Sequence, residues 1–185
     1  MTVTVVGLGG SMRPGSQSER AMHVVLAGAQ AAGAKVQAIG GDDLVLPFYD
    51  PEDPQRVPAA GQLVRALRTA DGVVLASPGY HGTISGLMKN ALDYVEDLRG
   101  DDPPYLDGRA VGCVGTAYGW QATVSTLHAL RSVVHALRGW PTPLGAAVNS
   151  TETRFGPDGE CSDAKVAETL RTIGEQVVEF AQRHR

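Results

Sequence analysis

The sequence has few of the residue types that mark secreted, membrane-bound or disulfide-rich proteins. Only two cysteines, Cys113 and Cys161, occur in 185 residues, too few for a disulfide framework. No apolar run approaches the roughly 18 residues that a membrane span requires. The first residues also lack the basic and long apolar segments of a signal peptide. These absences predict a cytoplasmic protein with no membrane partner, and Cys113, inside an apolar run, is expected in the core.

Positive charge is scarce as well. The 16 Lys and Arg residues are outnumbered by 20 Asp and Glu residues, which gives a net charge of -4. Domains that bind nucleic acid usually carry a basic surplus, so no nucleic-acid partner is expected. The five histidines show no metal-ligand spacing, so no metal site is predicted. Length and a hydrophobic content of 43% suit a single domain over residues 1–185.

What the chain does have is a regular alternation of apolar runs and helical periodicity. Strands are predicted at 3–8, 35–39, 72–77, 110–116 and 143–148, and helices at 18–32, 59–69, 83–98, 121–138 and 162–183. Such alternation predicts a parallel sheet with helices on both faces, because βαβ crossovers are right-handed. We therefore expect an α/β/α sandwich of three layers with strand order 2-1-3-4-5, which binds its ligand at the carboxyl ends of the strands.

The loop after the first predicted strand, residues 9–18, is called the first loop below. It offers the hydroxyls of Ser11, Ser16 and Ser18, the guanidinium of Arg13, and glycines whose N–H groups are expected to turn inward. A helix begins at its end and adds free N–H groups and a favourable dipole. This combination suits a phosphate monoester. The alternative is a tight turn without a ligand, in which Ser18 caps the helix.

Two common glycine-rich motifs fit this loop poorly. Gly10 and Gly15 are spaced as in a P-loop, but a serine follows Gly15 where the motif requires lysine. A dinucleotide fingerprint would need a glycine at Met12. Asp42 stands where the acidic residue of that fingerprint belongs, which keeps the interpretation open but weak.

The loop after the third predicted strand, residues 77–86, is also rich in glycine. Exposed backbone there can hydrogen-bond the edge of a flat heterocycle, and Tyr80 can pack against a ring face. His81 is interpreted as a polar contact, with proton transfer as the less favoured role. Because the sequence has no nucleophile-elbow motif, no catalytic side chain is predicted.

Together these loops resemble the NADPH-dependent FMN reductase family of flavodoxin-like proteins. The first loop carries Gly-Ser-x-Arg-x-x-Ser at residues 10–16, and the second motif is Pro-x-Tyr at 78–80 followed by a helix with Lys89, Asn90 and Asp93. A third glycine-bearing loop lies at 115–120, and the resemblance runs over about residues 3–148. Ser18 and Tyr118 depart from the family, which often has asparagine and glycine there.

The resemblance implies FMN as cofactor and NADPH or NADH as the co-substrate that donates hydride to it. The first loop would hold the FMN phosphate, and the later two loops would line its ring. The residues assigned to the cofactor are Ser11, Arg13, Ser16, Gln17, Ser18, Pro78, Gly79, Tyr80, His81, Gly82, Ser85, Thr116, Ala117, Tyr118 and Gly119. Reduced flavin could then pass to a partner monooxygenase.

Several alternatives remain open. The chain could keep its FMN bound and reduce quinones, azo compounds or another acceptor. It could be a flavodoxin-type electron carrier, which Arg13 argues against, or a protein that kept the fold and lost the cofactor. Apolar residues beside the main stripe of the third helix, Leu92 and Tyr94, favour a homodimer or homotetramer. A basic stripe is interpreted as a solvated or subunit-facing surface, with the NADP(H) phosphate as an alternative ligand; it consists of His128, Arg131, His135 and Arg138.

Overall fold

A computed structural model describes residues 2–184. Its strands are β1 (Thr4–Gly9), β2 (Lys35–Gly40), β3 (Gly72–Tyr80), β4 (Thr83–Ile84), β5 (Ala110–Ala117), β6 (Trp140–Pro141) and β7 (Ala146–Asn149). Its α-helices are α1 (Gln17–Ala31), α2 (Pro58–Thr69), α3 (Gly86–Asp93), α4 (Trp120–Ala136) and α5 (Ala164–Arg183). Two short 3-10 helices follow β2 and α3, at Gly41–Leu44 and Tyr94–Leu98.

The strand order confirms the predicted parallel topology. Strands β2, β1, β3 and β5 lie side by side, and both β6 and β7 pair in parallel with β5. The predicted fifth strand, 143–148, is present only in its second half as β7, and β6 is an additional short strand that precedes it. Prolines lie within and just after β6, and proline cannot donate to a strand ladder, which explains the interruption between β6 and β7. The register sets Gly9 opposite Ala76 and Pro78 opposite Thr116, so the loops after β1, β3 and β5 meet at one edge.

The predicted third helix, 83–98, is wrong at both ends. Strand β3 continues to Tyr80 and turns back through His81 and Gly82 to pair with β4. His81 has φ 50 and Gly82 has φ 94, and two consecutive positive φ values fit the tight turn of a β-hairpin. The helix proper begins only after its cap at Ser85, and it gives way to a 3-10 helix after Asp93.

The core forms two layers, one on each face of the sheet. Helices α2, α3 and α4 cover one face, and α1 and α5 cover the other. Leu92 and Tyr94 are each 3% exposed and belong to the first layer. The apolar surface that the sequence suggested for an oligomer is therefore used inside the subunit. Cys113 lies in the core, as expected.

Helices α1 and α5 pack with their backbones in close contact. A Cβ atom at Gly174 would lie 2.1 Å from the carbonyl oxygen of Val25, and one at Gly28 would lie 2.4 Å from that of Arg171. Only glycine allows two helices to approach this closely. Among residues 2–184, no helix is both long and apolar enough to cross a bilayer.

Candidate functional site

The first loop lines one side of a cavity at the carboxyl ends of β1, β3 and β5. Ser11 and Ser16 are almost completely buried there, and Ser18 has no exposed surface. Ser16, rather than Ser18, caps α1: its hydroxyl accepts a hydrogen bond from the Glu19 N–H at 3.2 Å. The side chain of Arg13 is exposed and has no hydrogen-bond or ion-pair partner within residues 2–184. Its charge is thus available to an anion beside the serine hydroxyls and the start of α1.

The glycine N–H groups of the first loop do not face the cavity as expected. Gly10 donates to the Ala76 carbonyl at 2.8 Å, and Gly15 donates to the Glu19 carboxylate at 2.8 Å. Both donors are therefore satisfied within the protein. Gly10 is required for a different reason, since a Cβ atom there would lie 2.8 Å from the Cβ of Met88. The serine hydroxyls, Arg13 and the start of α1 are the groups of this loop that remain available to an anion.

Ser85 links the first loop to α3 through the hydrogen bonds of its hydroxyl. Its hydroxyl donates to the Gly10 carbonyl at 2.7 Å and accepts from the Met88 N–H at 3.1 Å. Its own N–H donates to the Ser77 hydroxyl at 3.0 Å. The side chain is 3% exposed and does not line the cavity. The structure gives this residue a supporting place, whereas the resemblance assigned it to the cofactor.

The carboxyl ends of β3 and β5, with Tyr118 just after β5, form the opposite side of the cavity, whose volume is about 150 Å³. Tyr80 is 56% exposed and Tyr118 is 74% exposed at its mouth. Eleven of the residues assigned to the cofactor line this cavity: Ser11, Arg13, Ser16, Gln17, Ser18, Pro78, Gly79, Tyr80, Thr116, Ala117 and Tyr118. The others lie outside it: His81, Gly82, Ser85 and Gly119.

A second, wider groove of about 390 Å³ shares Tyr118 with the cavity. Gly82 and Gly119 line this groove together with Trp120, which is 55% exposed. The mouth of the cavity therefore continues into an open surface with two exposed aromatic side chains.

Sequence reasoning missed Ser150, which also lines the cavity. It follows β7, and its N–H donates to the Ala117 carbonyl at 2.8 Å. Its neighbour Asn149 accepts the Gly119 N–H at 2.9 Å and donates to Glu152 at 2.8 Å. These bonds fasten the loop after β7 to the loop after β5. No glycine-rich or charged motif marks Ser150 in the sequence, so only its position in space reveals it.

The segment after Ser150 crosses back to the start of α1. The side-chain amide of Gln17 accepts from the Phe155 N–H at 2.9 Å and donates to the Phe155 carbonyl at 3.4 Å. Arg20 donates to the same carbonyl. Gln17 lines the cavity. The oxygen and the nitrogen of its side-chain amide both bond to Phe155 and so hold this segment against the start of α1.

The second motif supports a neighbouring loop through Asn90. Its amide donates to the Pro47 carbonyl at 2.9 Å and accepts from the Tyr49 N–H at 3.0 Å. Phe48, between these two residues, is 92% exposed. The same loop continues to Arg56, which forms a two-bond ion pair with Asp97. Hydrogen bonding to that guanidinium holds the pKa of Asp97 below its usual range.

Comparison with known proteins identifies the family. Residues 3–153 match the family of NADPH-dependent FMN reductases. The chain belongs to this family. The sequence resemblance is thereby confirmed, and the alternative of a dinucleotide fingerprint in the first loop loses its support.

Individual relatives agree with this assignment. The chain is 30% identical over 113 residues to the FMN-dependent NADPH-azoreductase of Staphylococcus aureus; the match covers 60% of this chain and 56% of that protein. The chain thus matches only about half the length of this curated relative.

Solved structures show the same flavodoxin-like fold. An oxidoreductase from Corynebacterium diphtheriae superposes with a TM-score of 0.77 at 18% identity, over 100% of this chain and 99% of its own. The flavoenzyme NAD(P)H:acceptor oxidoreductase from Paracoccus denitrificans gives a TM-score of 0.71 at 20% identity, over 99% of each chain. At sequence identities this low, the structural similarity establishes a shared fold and nothing more.

Proposed function

We propose that this member of the FMN reductase family transfers hydride from NADPH or NADH to FMN. The observation that supports this most is the convergence of a free guanidinium, Arg13, and nearly buried hydroxyls at the carboxyl ends of β1, β3 and β5. FMN, when bound there, would supply the redox chemistry by accepting the hydride. The protein's part would be to bind and orient both small molecules.

The donors present fit a phosphate monoester attached to a flat ring. Arg13 and the serines of the first loop offer one cation and neutral donors to the phosphate. The cavity of about 150 Å³ is smaller than typical ligand pockets, which measure roughly 300–1,000 Å³. The ring would therefore lie across the open mouth between Tyr80 and Tyr118, with one face accessible to a nicotinamide. His81, Gly82 and Gly119 would meet the nicotinamide side, since they lie outside the cavity. No side chain is required as nucleophile or base.

The decisive experiment mixes the purified protein with FMN and either nicotinamide in the absence of oxygen. Bleaching of the flavin's visible absorbance is expected with at least one of them. No bleaching with either would exclude the reductase activity and leave the electron carrier as the better interpretation.

Arg13 variants test the binding site itself. Arg13→Ala should raise the Kd for FMN roughly ten- to a hundredfold, since a hydrogen bond to a charged group contributes about 1.5–3 kcal/mol. Arg13→Lys keeps the charge but loses the guanidinium fork, so an intermediate value is expected. Riboflavin, which lacks the phosphate, serves as the control ligand and should bind all three proteins equally. Equal losses for FMN and riboflavin would contradict a phosphate contact.

The groove beside the cavity favours a second candidate function. Its exposed aromatic residues, Tyr118 and Trp120, offer space next to the ring for a quinone, an azo compound or another acceptor. The two functions differ in whether FMN leaves during turnover. FMN that co-elutes with the protein after turnover would favour the acceptor oxidoreductase. Released FMN would favour a flavin reductase that supplies a partner monooxygenase.

We also propose a homodimer or homotetramer located in the cytoplasm. With Leu92 and Tyr94 inside the core, the surface that best supports association is Phe48, which is 92% exposed on a loop held by Asn90. Gel filtration should show more than one subunit for the wild type and a smaller species for Phe48→Ser. Cell fractionation tests the location.

A further inference from the structure

We propose that Thr116 and Ser150 bind the ribityl hydroxyls of FMN, an inference that rests on the proposed function. Both residues line the cavity, and they are 3% and 6% exposed respectively. Neither side-chain hydroxyl has a hydrogen-bond partner among residues 2–184. A hydroxyl that borders a cavity and has no partner within the protein is free to donate to and accept from a ligand there.

A ligand in the cavity can bind the hydroxyls of Thr116 and Ser150 only if those hydroxyls are exposed to the cavity. Within residues 2–184, no fully enclosed side-chain nitrogen or oxygen lacks a hydrogen-bond partner. The hydroxyls of Thr116 and Ser150 therefore retain some exposed surface, although their residues are more than nine-tenths buried. The cavity that both residues line provides that surface.

Both residues are held in place without a ligand. Thr116 lies in β5 between Pro78 of β3 and Val148 of β7. Ser150 is fixed by its N–H bond to the Ala117 carbonyl and by the side-chain bonds of Asn149. Donors that need no rearrangement contribute more of their interaction to affinity, because less conformational entropy is lost on binding.

Charge and position indicate which part of FMN these hydroxyls meet. Arg13 is the one basic side chain that lines the cavity within residues 2–184, and it belongs to the first loop. The tyrosines at the mouth, Tyr80 and Tyr118, mark the place of the ring. Thr116 and Ser150 carry no charge and belong to other elements than the first loop. Neutral hydroxyls of this kind suit the polyol chain that joins phosphate to ring.

Three flavins distinguish this contact from its alternatives. FMN has ribityl and phosphate, riboflavin has ribityl alone, and lumiflavin has neither. Ser150→Ala and Thr116→Val should each raise the Kd for FMN and for riboflavin by the same factor, about fivefold, and leave lumiflavin unchanged. Fluorescence titration measures all three. Thr151→Ala is the matched control: it loses a bond to Asn149 but does not line the cavity, so its flavin affinities should stay at wild-type values.

The other outcomes overturn the inference. A loss of affinity confined to FMN would indicate that these hydroxyls contact the phosphate instead. An equal loss of affinity for lumiflavin would indicate a contact with the ring or a general loosening of the loop. The same losses in Thr151→Ala would also assign the effect to loosening. Unchanged affinities in both Ser150→Ala and Thr116→Val would refute the inference and leave the proposed function intact. A wild type that binds no FMN would instead refute the proposed function.

Discussion

The buried hydroxyl of Ser85 both caps a helix and holds the first loop, and replacing Ser85 with alanine should remove both contributions. The hydroxyl caps α3 by accepting the Met88 N–H at 3.1 Å, and it secures the first loop by donating to the Gly10 carbonyl at 2.7 Å. Alanine can make neither bond. Because its methyl group occupies nearly the same space, packing changes little and the effect comes from the two lost hydrogen bonds.

The expected magnitude follows from these bonds. Loss of a helix N-cap costs about 1 kcal/mol, and loss of a buried hydrogen bond costs about 1 kcal/mol more. The free energy of unfolding should therefore fall by about 2 kcal/mol. Gly10 remains bound to the Ala76 carbonyl through its N–H, so the first loop loses one of these two bonds and is loosened, not released. The Kd for FMN should accordingly rise only about fivefold.

Equilibrium unfolding in urea measures the first effect, with Asp163→Ala as a matched control. Asp163 caps α5 by accepting the Lys165 N–H at 2.9 Å, and it does not line the cavity. The control should lose about 1 kcal/mol and keep its affinity for FMN. The remaining difference of about 1 kcal/mol between the variants then measures the bond from Ser85 to Gly10.

Equal unfolding free energies for Ser85→Ala and Asp163→Ala would refute this reasoning. They would mean that the bond to Gly10 contributes nothing beyond helix capping. An affinity for FMN that stays at the wild-type value in Ser85→Ala would likewise show that the first loop does not depend on α3.

Other predictions concern stability and reactivity. Gly174→Ala would place a Cβ atom 2.1 Å from a carbonyl oxygen of α1, so thermal unfolding should show a loss of about 2 kcal/mol or more; an unchanged melting temperature would contradict the close packing. Asp97→Asn should destabilise the protein at neutral pH, because Arg56 lowers the pKa of the folded carboxylate. Such a carboxylate stabilises the fold above its ordinary pKa and loses this effect as the pH falls through the lowered value. The variant should therefore show a flatter acid side of its stability curve, and curves of equal slope would disprove the coupling. Burial raises the pKa of Cys113 to about 12, so an aromatic disulfide reagent should label only one thiol in the native protein at neutral pH and both in denaturant. Labelling of both thiols without denaturant would show that the core opens.

The sheet and the first loop could be predicted because their signals are local. A buried strand and an amphipathic helix differ in the spacing of apolar residues over a few positions. Ser11, Arg13 and Ser16 lie within one short stretch, so their meeting at one place needs little tertiary information. The hairpin at His81 and Gly82 is also encoded locally, but the helical spacing of the apolar residues after it predicts a helix that begins too early.

The sequence by itself therefore determined the parallel sheet, the order of its strands and the loop in which Ser11, Arg13 and Ser16 come together. Tertiary structure alone decided which groups support that loop. Ser85 meets Gly10 across 75 positions of the chain, and Gln17 meets Phe155 across 138. Ser150 reaches the cavity only because β7 lies beside β5. No spacing of residues along the chain encodes such contacts, since they depend on how distant elements pack.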